Sequence, residues 1–566
     1  MEAGKRTIEQ IFNKGRTLQI PFFQRSYVWE EENWERFLDD MQMVSDTTET
    51  SKQYFMGPLI LKSQPVTSER KIGDLRLVVD GQQRLTTIVL FFKALCEASY
   101  NNEKKFMDTF FNRNGESIIE HNHNDIEVYE AILGDRLDGK LKKRYESNNV
   151  LKCYHHFQER SAILKSIDIN KILNLLCFVG IDLGEDDDEQ QIFDTLNSLG
   201  VSLTTAELLK NELYRKEDED LYNKTWKKVF EKDEDARIFW DFKLTSGRQF
   251  RASIDLFLQS FLIIKSKAND KYLMLSSLFT NYKAFLKDQK LNKHRLIESL
   301  IEYAKIYRDN VQPLLLKEDI NQNSTMQRLN IVVFGLNTTT VVPYILYILK
   351  EVEDSKEREN IFQLLESYLI RRLICKQTTK NYNNLFASFI RNRINTFTTL
   401  KDEIYKGKDP TNLFPDDSVL KNGFQNNNLT NQQAQVVLYL IEVSIRSTKD
   451  STKLLPFNHY SVEHVMPKNW RNYWDSGLSA KKAEQRDAIL LKFGNLTIIT
   501  RSLNSSIRDA DWKTKKNGKG NNKGLIEYCA GIKTFSKYLQ KPTWNEGLIS
   551  KRGLELYQYA IKIWNK

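Results

Sequence analysis

The sequence predicts a mixed fold that is predominantly α-helical, with an α+β region at its N-terminus, a helical middle and a small mixed region near its C-terminus. Three observations support this fold class. Short apolar runs alternate with helical spacing over about the first 100 residues. Amphipathic helical patterns with few glycines fill residues 250–400, and strand-like segments return after about residue 450. A chain of 566 residues suits about three domains, which we place at 1–215, 216–400 and 401–566.

Bulk composition narrows the functional class. A hydrophobic content of 40% indicates packed cores, and the net charge of +10 mildly favours a polyanionic partner such as nucleic acid. The five cysteines are far apart and include no Cys-x-x-Cys pair, which fits a reducing cytoplasm. The N-terminus has no apolar core of a signal peptide, and Pro343 interrupts the most apolar stretch, 331–350. We therefore expect a soluble, cytoplasmic protein.

The N-terminal elements follow one another in a clear order. The segment "LQIPFFQRSYVW" (18–29) reads as extended, because Pro21 disfavours helix at the residue before it. Apolar residues at helical spacing predict a helix over 33–44. "YFMGPLILKS" and "DLRLVVDG" are predicted to be paired or neighbouring strands, and the spacing turns helical from Leu85 to Ala98.

Further along, the segment 188–214 predicts two helices separated by Gly200, the second capped by Thr204 or Thr205. "SIDLFLQSFLIIK" and "ENIFQLLESYLIRRLI" are typical amphipathic helices of the middle region. Residues 331–350 predict two buried helices rather than a membrane span. Near the C-terminus, "SVEHVMPKNW" and "FGNLTIIT" suggest strands, followed by a lysine-rich helix.

The motif Asp80-Gly81-Gln82-Gln83-Arg84 lies between a predicted strand and a predicted helix. A tight glycine turn leaves the first N–H groups of the next helix unpaired, and these groups attract anions. Arg84 could add a bidentate phosphate contact, while the two glutamines could orient water or hold a ribose or base edge. The alternative is an ordinary capped turn with a surface arginine.

Aromatic residues surround Gln24 and Arg25 in "PFFQRSYVW". Such a pattern suits the stacking of a base beside a guanidinium that binds phosphate. The alternative is an aromatic core strand with an arginine that extends to solvent.

A second constellation is found in "SVEHVMPKNW" and the segment after it. A one-metal nuclease requires a base to deprotonate water and a divalent ion to steady the leaving oxygen. His464 suits the first role, and Glu463 and Asn504 are oxygen donors suited to Mg²⁺ or Mn²⁺. Asn495 could bridge the loop backbone and hold the histidine strand against the next strand. A Glu-His pair on its own is usually incidental.

Basic residues follow and precede this constellation. The run "KTKKNGKGNNK" (513–523) has five lysines and no acid, and Lys513, Lys515, Lys516 and Lys519 are predicted to contact DNA phosphates. The alternative is a solvated lysine face. Arg371 and Arg372 lie beside a buried helical stripe. Their segment also resembles the helical lead-in to the nuclease half of a known family, and this resemblance implies contact with DNA or with an interdomain interface.

Four motifs in register resemble the N-terminal domain of GmrSD-like type IV restriction endonucleases: "PFFQRSYVW", "YFMGPLIL", "VVDGQQRLTTI" and "IFDTLNSLGVSLTTAELLKN". The resemblance covers roughly residues 5–215 and implies a ParB/sulfiredoxin-like fold whose Asp-Gly-Gln-Gln-Arg motif binds and hydrolyses a nucleotide, GTP or ATP. It implies that Asp80 handles metal or water, that Gly81 admits the phosphate and that Arg84 holds it. Asn197, Lys210 and Asn211 match the last motif, where packing and ligand contact are equally compatible.

The C-terminal pattern resembles the His-Asn-Asn form of an HNH (ββα-metal) nuclease, which the same family carries. The shared features are Glu463-His464, Pro467, Gly494-Asn495 and Asn504. His464 and Asn495 are 31 residues apart, longer than in compact HNH motifs, so we expect an inserted helical loop between them.

Together the two resemblances imply a nucleotide-regulated endonuclease that restricts foreign, modified phage DNA, with a homodimer as one possible assembly. The rival hypotheses are an NTP-dependent DNA-binding regulator with a non-cleaving nuclease-like domain, and a nucleotidase whose basic half recruits nucleic acid.

Overall fold

A computed structural model describes most of the chain. The described residues are 2–21, 24, 26–48, 53–64, 74–99, 103–121, 125–184, 205–214, 218–246, 249–274, 278–289, 292–321, 324–446, 454–474, 477–501, 509–520, 522–529 and 531–566. The chain divides into two compact units, Met1–Asp220 and Leu221–Lys566. The first unit thus ends close to the boundary predicted at residue 215. The predicted regions 216–400 and 401–566 lie almost entirely in the second unit.

The first unit combines one mixed sheet with many short helices. Its strands are β1 (Glu2–Thr7), β2 (Arg16–Gln19), β3 (Tyr54–Ser63), β4 (Asp74–Asp80), β5 (Ile119–Glu120) and β6 (Leu176–Leu183). Its helices are α1 (Ile8–Ile11), α2 (Glu31–Asp46), α3 (Gln82–Ala98), α4 (Glu103–Phe110), α5 (Ile126–Leu133), α6 (Gly139–Arg144), α7 (Asn149–Glu159), α8 (Ser161–Leu164), α9 (Ile169–Leu175) and α10 (Thr205–Leu213). The unit boundary falls within α11 (Glu219–Lys224).

The six strands are ordered β1-β6-β3-β4-β2-β5. Strand β3 runs antiparallel to β4 and parallel to β6, and β2 runs parallel to both β4 and β5. The predicted pairing of "YFMGPLILKS" with "DLRLVVDG" is therefore confirmed. Helix α3 is buried on nearly all sides and packs against α7, α8 and α4, so it forms the centre of this core. The core fixes the end of β4 and the start of α3, where the Asp-Gly-Gln-Gln-Arg motif lies.

The second unit is mainly helical. Its helices are α12 (Trp226–Phe230), α13 (Glu234–Asp241), α14 (Ser253–Lys265), α15 (Leu278–Gln289), α16 (Lys293–Asn310), α17 (Thr325–Gly335), α18 (Val342–Glu351), α19 (Ser355–Ile374), α20 (Tyr382–Arg391), α21 (Phe397–Lys406), α22 (Asp417–Asn426), α23 (Asn431–Ile445), α24 (Ala480–Ile489), α25 (Trp512–Asn517), α26 (Leu525–Cys529), α27 (Lys533–Ser536) and α28 (Glu546–Ile563). Its described residues also form three strand pairs: β7 (Lys243–Ser246) with β8 (Gln249–Ala252), β9 (Tyr460–His464) with β10 (Leu496–Thr500), and β11 (Gly518–Lys519) with β12 (Asn522–Lys523).

Several predicted elements match these bounds. "SIDLFLQSFLIIK" forms α14, and residues 331–350 contain the end of α17 and most of α18, two separate buried helices as predicted. In the part of the chain that is described, no helix has both the length and the apolar character needed to cross a membrane. The first of the two helices predicted over 188–214 lies outside the described residues, whereas the second begins at Thr205. The predominantly α-helical fold class is confirmed.

Two arginines expected near DNA or an interface are instead internal braces of the second unit. Arg371 and Arg372 are fully buried on α19. The guanidinium of Arg371 donates to the carbonyls of Trp564 (2.6 Å) and Pro415 (3.2 Å). Because both side chains are enclosed by this unit's own backbone, the structure assigns them to folding rather than to DNA contact.

The guanidinium of Arg372 forms hydrogen bonds with two loops of the second unit. It donates to the carbonyls of Leu413 (2.6 Å), Thr378 (2.6 Å), Thr411 (3.0 Å) and Pro410 (3.1 Å). It also donates to the Tyr382 hydroxyl at 3.1 Å. One side chain thus donates hydrogen bonds to backbone carbonyls of two loops, one at Thr378 and one at residues 410–413.

Candidate functional site

The Asp-Gly-Gln-Gln-Arg motif of the first unit has the predicted strand–turn–helix geometry. Strand β4 ends at Asp80, and α3 begins at Gln82. Between them Gly81 adopts φ +107°, a left-handed conformation that disfavours a side chain, and a Cβ there would lie 2.6 Å from the Leu59 side chain. The turn therefore requires glycine, and it presents the N-terminus of a 17-residue helix beside Asp80.

Arg84 is held in place by two contacts. Its guanidinium donates to Asp80 Oδ2 at 2.9 Å and to the Met56 carbonyl at 3.1 Å. A Cβ on Gly57, which has φ +98°, would lie 2.5 Å from the guanidinium, so the glycine of "YFMGPLIL" makes room for Arg84. Asp80 and Arg84 are both partly exposed. The motif thus presents a carboxylate–guanidinium pair at a helix N-terminus, where an anion could reach the arginine.

Two glutamines of the predicted nucleotide site, Gln24 and Gln83, connect the aromatic segment to β4 and to α3. Gln24 is buried and donates from Nε2 to the Val78 carbonyl at 2.9 Å. Gln83 Oε1 accepts hydrogen bonds from the backbone N–H groups of Val28 (2.8 Å) and Trp29 (3.3 Å). Gln82 is buried at the start of α3. Arg25 lies outside the described residues.

One atom of this cluster is a spare donor. Gln83 Nε2 is buried and has no hydrogen-bond partner within the described part of the chain. A buried donor without an acceptor is unfavourable, so a ligand oxygen at this position would stabilise the site.

The residues of the later motif are only partly described. Asn197 lies outside the described residues, and of the Asn211 side chain nothing is described. Lys210 is 5% exposed within α10. Its burial favours the packing role over ligand contact.

A further group of possible metal ligands occurs in the first unit. Glu31 and Glu35 on α2 and His156 on α7 place ligand atoms within 4.8 Å of one another. The guanidinium of Arg160 contacts Glu35 and lies 3.9 Å from Glu31. Because an arginine already supplies positive charge to these carboxylates, we interpret the group as an ion-pair cluster.

In the second unit, the predicted nuclease residues lie on and around the β9–β10 pair. His464 is the last residue of β9 and pairs with Leu496, and Glu463 pairs with Thr497. The loop between these strands contains α24 (Ala480–Ile489), which confirms the predicted helical insertion. The two ends of that insertion nevertheless return to adjacent strands, so the long spacing does not separate His464 from Asn495.

Asn495 forms the predicted bridge. Its side chain is fully buried; Oδ1 accepts from the Met466 N–H at 2.9 Å, and Nδ2 donates to the Met466 carbonyl at 2.8 Å. Nδ2 also donates to the Leu490 carbonyl at 2.9 Å, while Trp544 Nε1 donates to Oδ1 at 3.0 Å. The two contacts with Met466 hold the backbone just after His464 (the histidine loop), so Asn495 acts on the site by positioning this loop.

Helix α28 packs against the residues on either side of Asn495. A Cβ on Gly494 would lie 1.9 Å from the Ile549 carbonyl, so only glycine permits this close approach. The guanidinium of Arg552, fully buried on α28, donates to the Gly494 carbonyl at 2.9 Å and to that of Leu496 at 2.5 Å. The Gly-Asn-Leu motif therefore contacts α28 through Gly494 and Leu496 and contacts the histidine loop through Asn495.

The surroundings of His464 favour the uncharged form of its imidazole. Burial, together with the nearby cations Lys468 and Lys515, lowers its pKa to about 4. The imidazole is therefore neutral near pH 7, as a general base requires. The side chain is only partly buried, so a reactant water could approach it.

Glu463 is predicted to be a metal ligand, but in the structure a lysine ammonium contacts its carboxylate. It is 5% exposed, and its Oε1 is in direct contact with Lys515 Nζ. Lys515 Nζ also donates to the His464 carbonyl at 2.9 Å. Burial raises the pKa of Glu463 and lowers that of Lys515, while the attraction between the two charges opposes both shifts.

The four lysines predicted to contact DNA do not form a single surface. Lys515 is 1% exposed and points inward, whereas Lys513 and Lys519 are exposed and Lys516 is partly exposed. The prediction of a DNA contact is therefore wrong for Lys515, whose ammonium is buried against Glu463. Asn504 lies outside the described residues, so its predicted role as a metal ligand stays a prediction.

Sequence reasoning missed Lys515, Trp544, Arg552 and Gly57 as supporting residues. The first three act through contacts with residues 49 to 58 positions away, for which no local pattern gives a signal. Gly57 did have a signal, because it lies within one of the four matching motifs.

The chain thus combines a mixed-sheet unit that carries the Asp80–Arg84 motif with a helical unit that carries the β9–β10 strand pair and His464. Residues 8–214 match the family described as GmrSD restriction endonuclease, N-terminal domain, and residues 414–558 match GmrSD restriction endonucleases, C-terminal domain. The chain therefore belongs to the GmrSD family of type IV restriction endonucleases. A comparison with curated proteins gave no match.

Proposed function

We propose that this restriction endonuclease is of the HNH type, depends on a divalent metal, is regulated by a nucleoside triphosphate that it hydrolyses, and acts on modified phage DNA. The observation that carries the nuclease proposal is the neutral, partly exposed His464 at the end of β9, held in place through Asn495. The specificity for modified DNA rests on the family alone.

Each residue of the site has a distinct role in DNA hydrolysis. His464 accepts the proton of the attacking water, and Asn495 holds the backbone that aims it. Glu463 and Asn504 supply oxygen ligands of the kind that Mg²⁺ or Mn²⁺ prefers. A bound divalent ion would stabilise negative charge on the phosphate and the leaving oxygen. The donor set fits such an ion only if the Glu463 carboxylate becomes available to it, because Lys515 contacts that group.

The test of the whole proposal is a cleavage panel. Purified protein is incubated with modified and unmodified phage DNA, with and without GTP or ATP, and with Mg²⁺, Mn²⁺ or a chelator. We expect cleavage that requires metal, responds to nucleotide and prefers modified DNA. Metal-independent cleavage, or none under any condition, would contradict the proposal.

The Asp80–Arg84 pair supports the nucleotide site. Arg84 lies in the first turn of α3, where the backbone N–H groups and the helix dipole favour a phosphate. The spare donor Gln83 Nε2 is on the same helical turn. A phosphate could take over the Arg84 hydrogen bonds and leave Asp80 free to orient water or a metal.

Arg84→Ala is expected to weaken nucleotide binding, or the hydrolytic step, by about 1.5–3 kcal/mol, because a charge-assisted and bidentate contact is lost. Calorimetry on the variant and the unmodified protein measures the effect on binding. DNA cleavage by the variant should no longer respond to nucleotide.

Arg76→Ala is the matched control. Arg76 is a partly buried arginine of β4 that also makes ion pairs, with Asp74 and Asp182. Its loss should leave nucleotide affinity unchanged. If Arg84→Ala binds nucleotide as tightly as the unmodified protein, the motif is an ordinary capped turn.

Neutralisation of the outward-facing lysines is expected to weaken DNA binding and its salt dependence. In Lys513→Gln/Lys516→Gln/Lys519→Gln, each lost phosphate contact should reduce the log–log salt slope by roughly 0.9 for duplex DNA. Fluorescence anisotropy at several salt concentrations measures the slope. An unchanged slope would mean that these lysines form a solvated face.

A further inference from the structure

Lys515 occupies an unusual position for a lysine in a basic run. Its Nζ lies between the Glu463 carboxylate and the His464 carbonyl, 2.9 Å from the latter. The side chain is 1% exposed. A buried ammonium is unfavourable unless it is paired, and these two oxygens provide the pairing. The same ammonium therefore contacts both residues of the Glu-His motif.

The position of Lys515 is fixed by the scaffold that holds Asn495. Helix α25 is capped by Asp511, whose Oδ1 accepts from the Thr514 N–H at 3.0 Å. Trp512 of this helix stacks on Trp544 with ring centroids 6.0 Å apart, and Trp544 donates to Asn495. Lys515 is thus held in place at Glu463 by well-packed neighbours.

Lys515 and a divalent cation would compete for the carboxylate of Glu463. Glu463 offers one carboxylate, and a divalent cation and the Lys515 ammonium both require it. Two cations a few ångströms apart in a poorly solvated site repel each other strongly. A divalent ion that uses Glu463 must therefore displace Lys515 or bind against its charge.

We propose that Lys515 is a resident counter-cation of the nuclease site, which holds the Glu463 carboxylate in the absence of metal and is displaced when a divalent ion binds. This inference rests on the proposed metal-dependent nuclease. It makes Lys515 a positioning residue that lowers the affinity of the site for metal and keeps Glu463 oriented until metal arrives. A lysine that only stabilised the fold would have no such effect on metal affinity.

The first experiment measures Mn²⁺ binding to the full chain by calorimetry without DNA. Lys515→Gln should bind Mn²⁺ at least about tenfold more tightly than the unmodified protein, because the competing charge is absent. Lys516→Gln is the matched control, since it removes the same charge from a side chain whose ammonium is 3.4 Å from the Lys541 carbonyl. Its Mn²⁺ affinity should stay close to that of the unmodified protein. Equal or weaker binding by Lys515→Gln would overturn the proposal.

A second measurement uses the unmodified protein and so does not depend on a variant that folds. Reductive methylation followed by mass spectrometry reports how accessible each lysine amine is. Lys515 should react slowly without metal and several-fold faster with Mn²⁺, whereas Lys516 should react at the same rate in both conditions. A Lys515 amine that stays protected when Mn²⁺ is bound would overturn the proposal.

The two measurements separate failure of this inference from failure of the proposed function. If the protein binds Mn²⁺ and cleaves DNA while Lys515 stays protected and Lys515→Gln binds metal no more tightly, only the displacement is wrong. If neither the unmodified protein nor Lys515→Gln binds Mn²⁺ and no DNA is cleaved, the metal-dependent nuclease and the displacement are both wrong.

Discussion

His464→Ala is expected to reduce DNA cleavage by about 10²–10⁴-fold, the usual contribution of a positioned general base. The imidazole is the neutral group at the end of β9, and its pKa of about 4 keeps it in the proton-accepting form near pH 7. The partly exposed ring is not needed to close the core, so the variant should fold. Nicking of supercoiled plasmid under single-turnover conditions measures the loss.

His459→Ala is the control for this variant. His459 is exposed and lies five residues before His464 in the same segment, so its removal should not change cleavage. Nucleotide hydrolysis should be unaffected in both variants, since the Asp80–Arg84 motif belongs to the other unit. Undiminished metal-dependent cleavage by pure His464→Ala protein would refute the HNH assignment.

Arg372→Met is expected to lower the free energy of unfolding of the second unit by at least about 3 kcal/mol. The substitution leaves four backbone carbonyls and the Tyr382 hydroxyl without their donor, and each unsatisfied buried group costs about 1–3 kcal/mol. Urea denaturation followed by tryptophan fluorescence measures the change. The expected effect on stability is large because methionine retains the apolar stem and loses every hydrogen bond.

The control is Arg393→Met, at an exposed position 21 residues further along the chain, and it should change stability little. At temperatures where Arg372→Met remains folded, its affinity for DNA and the salt slope should equal those of the unmodified protein. A stable Arg372→Met protein with reduced DNA affinity would restore the earlier interpretation of this arginine as a DNA contact.

The comparison of Arg372 with Asn495 shows how far sequence reasoning reached. The role of Asn495 as a bridge was predictable, because an asparagine at the start of a strand has both a donor and an acceptor for a neighbouring loop. The inward direction of Arg372 was not, since an arginine beside an apolar stripe can extend to solvent or fold back onto backbone carbonyls. The inward direction depends on the path of residues 408–415, which brings backbone carbonyls within reach of the Arg372 guanidinium.

Local sequence also does not show which distant charges pair with one another. The run at residues 513–523 has no acid, and local composition therefore predicts a solvated surface. Helix α25 turns one lysine of the run toward Glu463, which is 52 residues earlier in the chain. Strands, helices and the turn at Gly81 follow from local spacing, whereas the pairing of distant charges depends on the tertiary fold.

Helix α28 (Glu546–Ile563) has a consequence for the synthesis of the protein. Ribosomes deliver the chain from the N-terminus, so His464 and Asn495 emerge before α28 and its Arg552. During that interval, the Gly494 and Leu496 carbonyls lack their guanidinium donor, and the histidine loop lacks its outer support. We expect a nascent chain to have no nuclease activity until this helix has left the ribosome and docked. A ribosome-stalled chain that ends before residue 546 should therefore carry every residue of the Glu-His motif and still be unable to cut DNA.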